Sequence, residues 1–388
     1  MKKVLCFCLS LVIFAGVFSG CGSQGTSGNT QEEMVEVSLI TSKVCLYSND
    51  DLEKWSYHYT YDEQGNLLTE ESHFVDKETS RYDYTYDDNG NVAQKITYVG
   101  DKEFSRLTCA YDKKGQLIEK VTSFDGKPSE RFTYAYDEKG NCVEEVTYSG
   151  DTERSRNTYV FDKKGNCLKE TVEVEGKQPT KNTYAYDKSG NLLEKIEYIG
   201  EEENARHTYT YDKNGKCLEY VKTVAGAGTS SIVYDYDDKG NCVSSVTYSG
   251  VAEASRILSS YDEEGRLVEE INYTAGKETS RQKYTYDQNG NLLEHSSSFN
   301  GKELNRNVYA YNETGSLSEK VEYIKGKEKD HCFYAYDDKG VIQEETWYYI
   351  KTDYYGTIRY TSTTVTVSQS RAEELLRQQQ EKLGATTE

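Results

Sequence analysis

A six-residue phrase, Tyr-Asp-x-x-Gly-Asn, returns every 25 residues without one insertion. It starts at Tyr61, Tyr86, Tyr111, Tyr136, Phe161, Tyr186, Tyr211, Tyr236, Tyr261, Tyr286, Tyr311 and Tyr336. Its Asp column has a single departure, Asn312, and its Gly column, Gly65 through Gly340, has none. A fixed period of this length means a tandem array in which each unit buries surface only against its neighbours.

The unit spanning residues 80–104 shows what each copy builds. Tyr82, Tyr84 and Tyr86 alternate, which is strand periodicity. Asp87-Asp88-Asn89-Gly90 is a turn: Asp bonds its own backbone, and Gly supplies positive φ at the end, as in a type I turn closed by a Gly bulge. Asn91–Val99 is the returning strand, and Gly100-Asp101 turns the chain into the next unit. Gly comes first in that second turn at Gly100, Gly150, Gly200 and Gly250, and second at Gly126, Gly176, Gly226 and Gly276. The middle of the array therefore reads as paired hairpins with alternating II′-type and I′-type turns.

The fold expected is all-β, a meander of about two dozen short antiparallel strands. Two prolines in 388 residues agree with an unbroken ladder. Open twisted sheets rarely exceed ~10 strands. The ribbon is therefore expected to coil into a long curved or spiral sheet, aromatic face inward. Pairing Asp87 with Asn91 sets Tyr86 opposite Val92, Tyr84 opposite Gln94 and Tyr82 opposite Ile96. One face then holds Tyr82, Tyr84, Tyr86, Val92, Ile96 and Tyr98. The Gln94 column is Glu in most repeats, and this register puts it among the tyrosines.

That placement nominates Glu119, Glu144 and Glu194, with Tyr134, Tyr136, Tyr159, Tyr184 and Tyr186, as ligand-binding residues. Sugar rings stack on aromatics, and carboxylates bond their hydroxyls. The plainer reading is a carboxylate bonded to tyrosine hydroxyls or facing water. A glycosidase pair needs two carboxylates in different environments, and these repeat identically. His58, His73, His207, His295 and His331 fall at scattered positions and form no triad or metal pattern. The Asp turns lack calcium-loop spacing. No catalytic residue, metal or cofactor is expected, and the protein is not expected to be an enzyme.

The ends differ from the array. Residues 1–20 read as an export signal, with Lys2, Lys3 and the apolar run Val4–Val17. Phe18-Ser19-Gly20-Cys21 resembles the lipobox of bacterial lipoproteins, which implies lipid on Cys21 and an extracytoplasmic, membrane-tethered protein. Residues 21–33 read as a flexible tether, 34–56 as N-terminal cap strands, 57–346 as the array, and 347–388 as cap strands and a short helix. Ser370-x-x-Glu373 is a capping box opening that helix, which is expected to run through Leu383. Lys2 and Lys3 are the only charges in residues 1–20, so the net charge of −20 becomes −22 without them. A surface this acidic excludes nucleic acid as a partner.

Beyond Cys6, Cys8 and Cys21, seven cysteines remain, without metal spacing. Cys142, Cys167, Cys217 and Cys242 share the column of Leu67, Leu117, Leu192, Leu267 and Leu292, so they read as apolar filler. In a meander, Cys142 and Cys167 lie two strands apart and stay unpaired. Loose thiols in an exported protein suggest a reducing habitat.

Tyr186–Leu192 and Tyr286–Leu292, each Tyr-Asp-x-x-Gly-Asn-Leu, resemble the YD repeat of the RHS family over about residues 57–345. The resemblance implies a long β-sheet spiralling into a hollow shell. Some members enclose a C-terminal toxin, and others bind carbohydrate or protein at cell surfaces. The tail after Val367, about twenty residues, is shorter than a toxin domain. The function expected is a surface-anchored scaffold binding a glycan or a surface protein. A structural shell serving a separately encoded partner comes second, and a carbohydrate-active enzyme third.

Overall fold

A computed structural model describes residues 34–47, 53–349 and 354–382. Among these residues, strands numbered in chain order run from β1 (Met34–Tyr47) to β26 (Tyr354–Ser368), followed by one helix, α1 (Gln369–Lys382). Each strand pairs antiparallel with the next, as a hairpin meander requires; β4 (Ser80–Tyr86) against β5 (Val92–Val99) is typical. The signal, Cys21, the tether and Leu383 lie outside the described residues.

The expected open spiral is not what forms. β1 also pairs with β26, from Met34↔Ser368 to Tyr47↔Gly356, and this closes a 26-stranded barrel. Two terminal strands of 14 and 15 residues would otherwise expose long rows of unpaired N–H and C=O groups, and each satisfies the other. The ladder also staggers as a barrel needs. Cα partners lead from Thr60 to Thr69, Asp83, Ile96 and Arg106, four residues short of Ala110, the equivalent of Thr60 two repeats on. At ~4.8 Å per strand and ordinary barrel tilt, the ring is on the order of 50 Å across.

The Asp-x-x-Gly turn forms as its chemistry dictates. Gly140 N donates to Asp137 O at 3.1 Å, and Asp137 N to Asn141 O at 3.0 Å. Asp137 Oδ1 accepts from the N–H groups of Lys139 and Asn141, and Oδ2 accepts from Asn141 Nδ2. These bonds, the Asn141 side chain first, hold the Asp137 carboxyl below its ordinary pKa. Gly140 has φ +91°. The second turns follow the II′ pattern at Gly100 and the I′ pattern at Asp125-Gly126, where both φ are positive. At Glu175-Gly176 only the Gly is positive, the signature of type II.

Each first hairpin then departs from the expected register. Tyr86 does face Val92, but Thr85 faces Gln94 and Tyr84 faces Lys95. A β-bulge leaves Ala93 unpaired, and one extra residue exchanges the two faces of the rest of the strand. Ile96 and Tyr98 therefore leave the tyrosine face. One face carries Tyr82, Tyr84, Tyr86, Val92, Lys95 and Thr97. The other carries Arg81, Asp83, Thr85, Gln94, Ile96 and Tyr98. Arg81 lies 4.2 Å from the ring centroid of Tyr98, which confirms that they share a side.

Next to the turns the Tyr82-type face is the crowded one: the Tyr84 and Tyr86 columns are half-buried and the Thr85 column between them is mostly exposed, while in mid-strand Val146 and Val246 of the second face are buried too. Burial raises the tyrosine hydroxyl pKa along it, as at Tyr134, Tyr159 and Tyr209. Closing a sheet crowds side chains on the concave side and spreads them on the convex side, so this face lines the lumen.

The two apolar clusters sit at the seam, while the array holds isolated buried side chains such as Val146. Cys45, Ile342, Trp347, Ile358 and Tyr360 form one cluster. A Cβ on Gly356 would stand 2.4 Å from the Trp347 ring, so only Gly lets the strand approach. Val37, Leu39, Val367, Ala372 and Leu375 form a second cluster beneath α1. The helix starts at Gln369, one residue before the expected Ser370 cap, and Ser368 Oγ accepts from Arg371 N at 3.4 Å. α1 takes the place of a missing preceding repeat. In the array, Gln116 reaches the Gly140 carbonyl of the following turn. At the first turn, Arg371 bonds Gln64 O and Asn66 Oδ1, and Leu375 packs on Gly65. Cys142 in β9 (Cys142–Ser149) and Cys167 in β11 (Cys167–Val174) have β10 (Thr152–Phe161) between them, and no disulfide joins them.

Candidate functional site

The two faces divide the nominated residues. Tyr134, Tyr136, Tyr159, Tyr184 and Tyr186 stand on the lumenal face. Glu119, Glu144 and Glu194 stand on the outer face, because the bulge carries their column past the tyrosines. The expected Tyr–Glu grouping is therefore not formed by these residues.

The three glutamates belong to an outer lattice built at the 25-residue period. Arg156 donates to Glu144 and, at 2.8 Å and 3.0 Å, to Glu153. Arg206 bonds Glu194 and Glu203 in the same way. Arg131 is 3.6 Å from Glu119 and lies over the Tyr148 ring at 3.8 Å. Each exposed pair contributes little by itself, because water screens it. Together they consume the charge that a ligand would use.

The lumenal tyrosines have other carboxylates, one residue further along. Across the ladder Tyr134 faces Glu145, and Glu145 faces Asn157. One repeat later Tyr159 faces Glu170, and Glu170 faces Asn182. Asn182 Nδ2 and the Tyr184 hydroxyl donate to Glu170 Oε2 at 2.8 Å and 3.1 Å. Burial raises the Tyr159 hydroxyl pKa first, and the charges of Glu170 and Glu145 raise it further. The result is a row of aromatic faces, carboxylates and amides along one wall. Its signal was present in the sequence: the doublet Glu144-Glu145 breaks strict alternation, as a bulge does.

Tyr136 and Tyr186 hold a different position, next to the turn. The Tyr136 hydroxyl donates to Leu117 O at 2.8 Å, and the same bond runs from Tyr86 to Leu67 O and from Tyr211 to Leu192 O. Where it forms, this bond ties a repeat to the one before and occupies the hydroxyl; Phe161 has no hydroxyl, and the bond is not made at Tyr186.

A second lumenal cluster breaks the repeat. His207, 7% exposed, sits between Tyr220 and Glu197. Its Nδ1 is 2.8 Å from the Tyr220 hydroxyl and its Nε2 is 3.3 Å from Glu197 Oε1. Lys195 donates to Glu197 at 2.7 Å. Burial holds the imidazole below its ordinary pKa. Glu197 pulls the other way, and Lys222 and Lys195 add to the lowering. The ring is enclosed by its neighbours but lies in a wall one sheet thick, so the desolvation is modest. The sequence marked His207 only as scattered, because its partners come from two other strands.

Fold and faces together define a hollow antiparallel barrel of tandem hairpins, with a charged outer wall and a tyrosine-lined lumen. A family profile described as "Uncharacterised protein" matches residues 130–258, less than half of the chain. No curated protein sequence matches the chain. Among solved structures, TcdB2-TccC3-TEV aligns over 77% of this chain and 16% of its own, at 16% identity and TM-score 0.47. TcdB2-TccC3 aligns over 86% of this chain and 23% of its own, at 14% identity and TM-score 0.30. A porin-like protein from Bacteroides uniformis ATCC 8492 aligns over 84% of this chain and 98% of its own, at 10% identity and TM-score 0.19. TM-scores below 0.5 decide neither fold nor function.

Proposed function

We propose that this chain is a non-catalytic binding scaffold whose lumen holds a glycan. The observation that carries the reading is the lumenal row Tyr134–Glu145–Asn157 and Tyr159–Glu170–Asn182, continued by Tyr184. Flat aromatic faces suit the apolar faces of pyranose rings, and carboxylate and amide groups beside them suit the hydroxyls. The grouping recurs in two successive repeats, so two neighbouring sugars of a polymer meet equivalent sites 25 residues apart in sequence. The acidic composition favours a neutral or cationic glycan over an anionic one.

The outer wall supports a barrel surrounded by water. Arg131, Arg156, Arg206, Arg281 and Arg306 stand on it, and charged residues facing lipid cost about 2–4 kcal/mol each at the bilayer midplane. The anchoring we propose is lipid on Cys21, which places the barrel outside the cytoplasm on a flexible tether. Cys21→Ala would then release the protein from membranes.

The glycan reading is tested on a glycan array with the purified full-length protein, Tyr159→Ala and Glu170→Gln. Binding by the wild type that falls at least tenfold in both variants supports it. A wild type that binds no glycan leaves the structural shell serving another protein as the better reading.

A further inference from the structure

Around the array the lumenal wall is one layer thick, and a groove such as that between the turns at Asp212 and Asp237 is bounded by that layer alone. α1 adds a second layer at one place. Between the helix and the first two Asp-x-x-Gly turns lies a cleft of about 510 Å³. Its floor is Leu67, Tyr84 and Tyr86; its far wall is Arg371, Glu374 and Gln378. A concave site with an aromatic floor and a few convergent polar groups has the form of a small-molecule site.

From this we infer that the α1 cleft binds one neutral pyranose unit; the inference rests on the glycan reading and locates an end-binding subsite within it. Charge chooses the class. Arg371 donates to Glu374 at 2.6 Å and to Asn66 Oδ1 at 2.7 Å, and Gln378 donates to Glu374 at 3.1 Å. Arginine and glutamate cancel, so the wall offers donors and acceptors without net charge. An anion would find Arg371, the cation among the lining residues, already bonded to Glu374 and Asn66. A cation would find the carboxylates of Asp62 and Asp87 already bonded inside their own turns. A neutral polyol can lay its apolar face on Tyr84 and bond Glu374 and Gln378 at its edge.

The test is saturation-transfer NMR on the full-length protein with methyl glycosides of glucose, galactose, mannose and N-acetylglucosamine, and with glucuronate and glucosamine as charged arms. Four variants accompany the wild type: Tyr84→Ala, Glu374→Gln, Gln378→Trp and Tyr159→Ala. Gln378→Trp fills the cleft from the helix and leaves the barrel wall intact, so it answers the question even where Tyr84→Ala fails to fold. The expected result is transfer to at least one neutral glycoside. It drops several-fold in Gln378→Trp, Tyr84→Ala and Glu374→Gln, and the cleft's share persists in Tyr159→Ala, which removes only the lumenal share. No transfer to any neutral glycoside, a stronger signal from a charged arm, or full retention in Gln378→Trp overturns the inference. Loss in Tyr159→Ala with retention in the cleft variants overturns it too, while leaving the lumenal glycan reading in place.

Discussion

Tyr136 donates its hydroxyl proton to Leu117 O at 2.8 Å, whereas Phe161, at the equivalent place one repeat later, has no hydroxyl to donate. The array thus carries its own natural substitution. A net hydrogen bond is worth about 0.5–1.5 kcal/mol. Phe161→Tyr should therefore gain a bond to Cys142 O and stabilise the barrel by roughly that amount, and Tyr136→Phe should lose as much. Urea unfolding of both variants checks this; equal midpoints would show that the tyrosine column contributes nothing. His207 gives a pH-dependent counterpart. Its pKa is lower folded than unfolded, so the unfolded chain takes up its proton first as pH falls. That contribution to stability is complete above the ordinary histidine range, about 6.5, and is lost as pH drops below it. Glu197, Lys195, Lys222 and Tyr220 face the ring and stay in place in His207→Gln. This variant should lose less stability than wild type between pH 7 and pH 5, read as the shift in urea midpoint. An identical shift in both proteins would mean that His207 titrates as a solvated group.

At the scale of the hairpin, the turn was legible and the strand after it was not. Asp at the first turn position and Gly at the last have one compatible local geometry, so Asp137, Gly140 and Asn141 could be placed from sequence. Gly140→Val forces a β-branched residue to φ +91° and brings its Cβ to 3.1 Å from Gln116 Nε2. A loss of about 1–3 kcal/mol is expected, with the fold retained, because each hairpin contacts only its neighbours. An unchanged thermal melt would show that the turn relaxes at no cost. The bulge was missed because alternation was carried through it. Val143 is the unpaired residue, and the phase slip it introduces sends Glu144 to the outer wall and Glu145 to the lumen. A carboxylate site assigned by alternation alone therefore lands one residue off, on the wrong side of the sheet. The helix starts two residues before the expected position, since Ser368 and Ser370 both have cap chemistry and packing against β1 decides between them.

For the whole molecule, the repeat predicted curvature but not closure. Closure depends on the two terminal strands, which lie outside the repeat and meet 320 residues apart in sequence, as in the Thr41–Thr361 hydroxyl pair. Nothing periodic encodes that contact. It follows from matched edge lengths, from the stagger accumulated over the array, and from α1, whose Gln379 bonds Ile40 N and Ser38 O across the seam. A lumen, a two-faced wall and a cleft under α1 all presuppose that seam. Its most direct test is a double variant, Ser38→Cys with Thr364→Cys, at positions that pair directly and point away from the seam core. Mild oxidation of the native protein followed by non-reducing peptide mapping should recover a peptide linking residue 38 to residue 364 in high yield and within one molecule. Recovery of neither that link nor any other β1–β26 link, or of links between molecules only, would contradict the closed barrel and restore the open sheet.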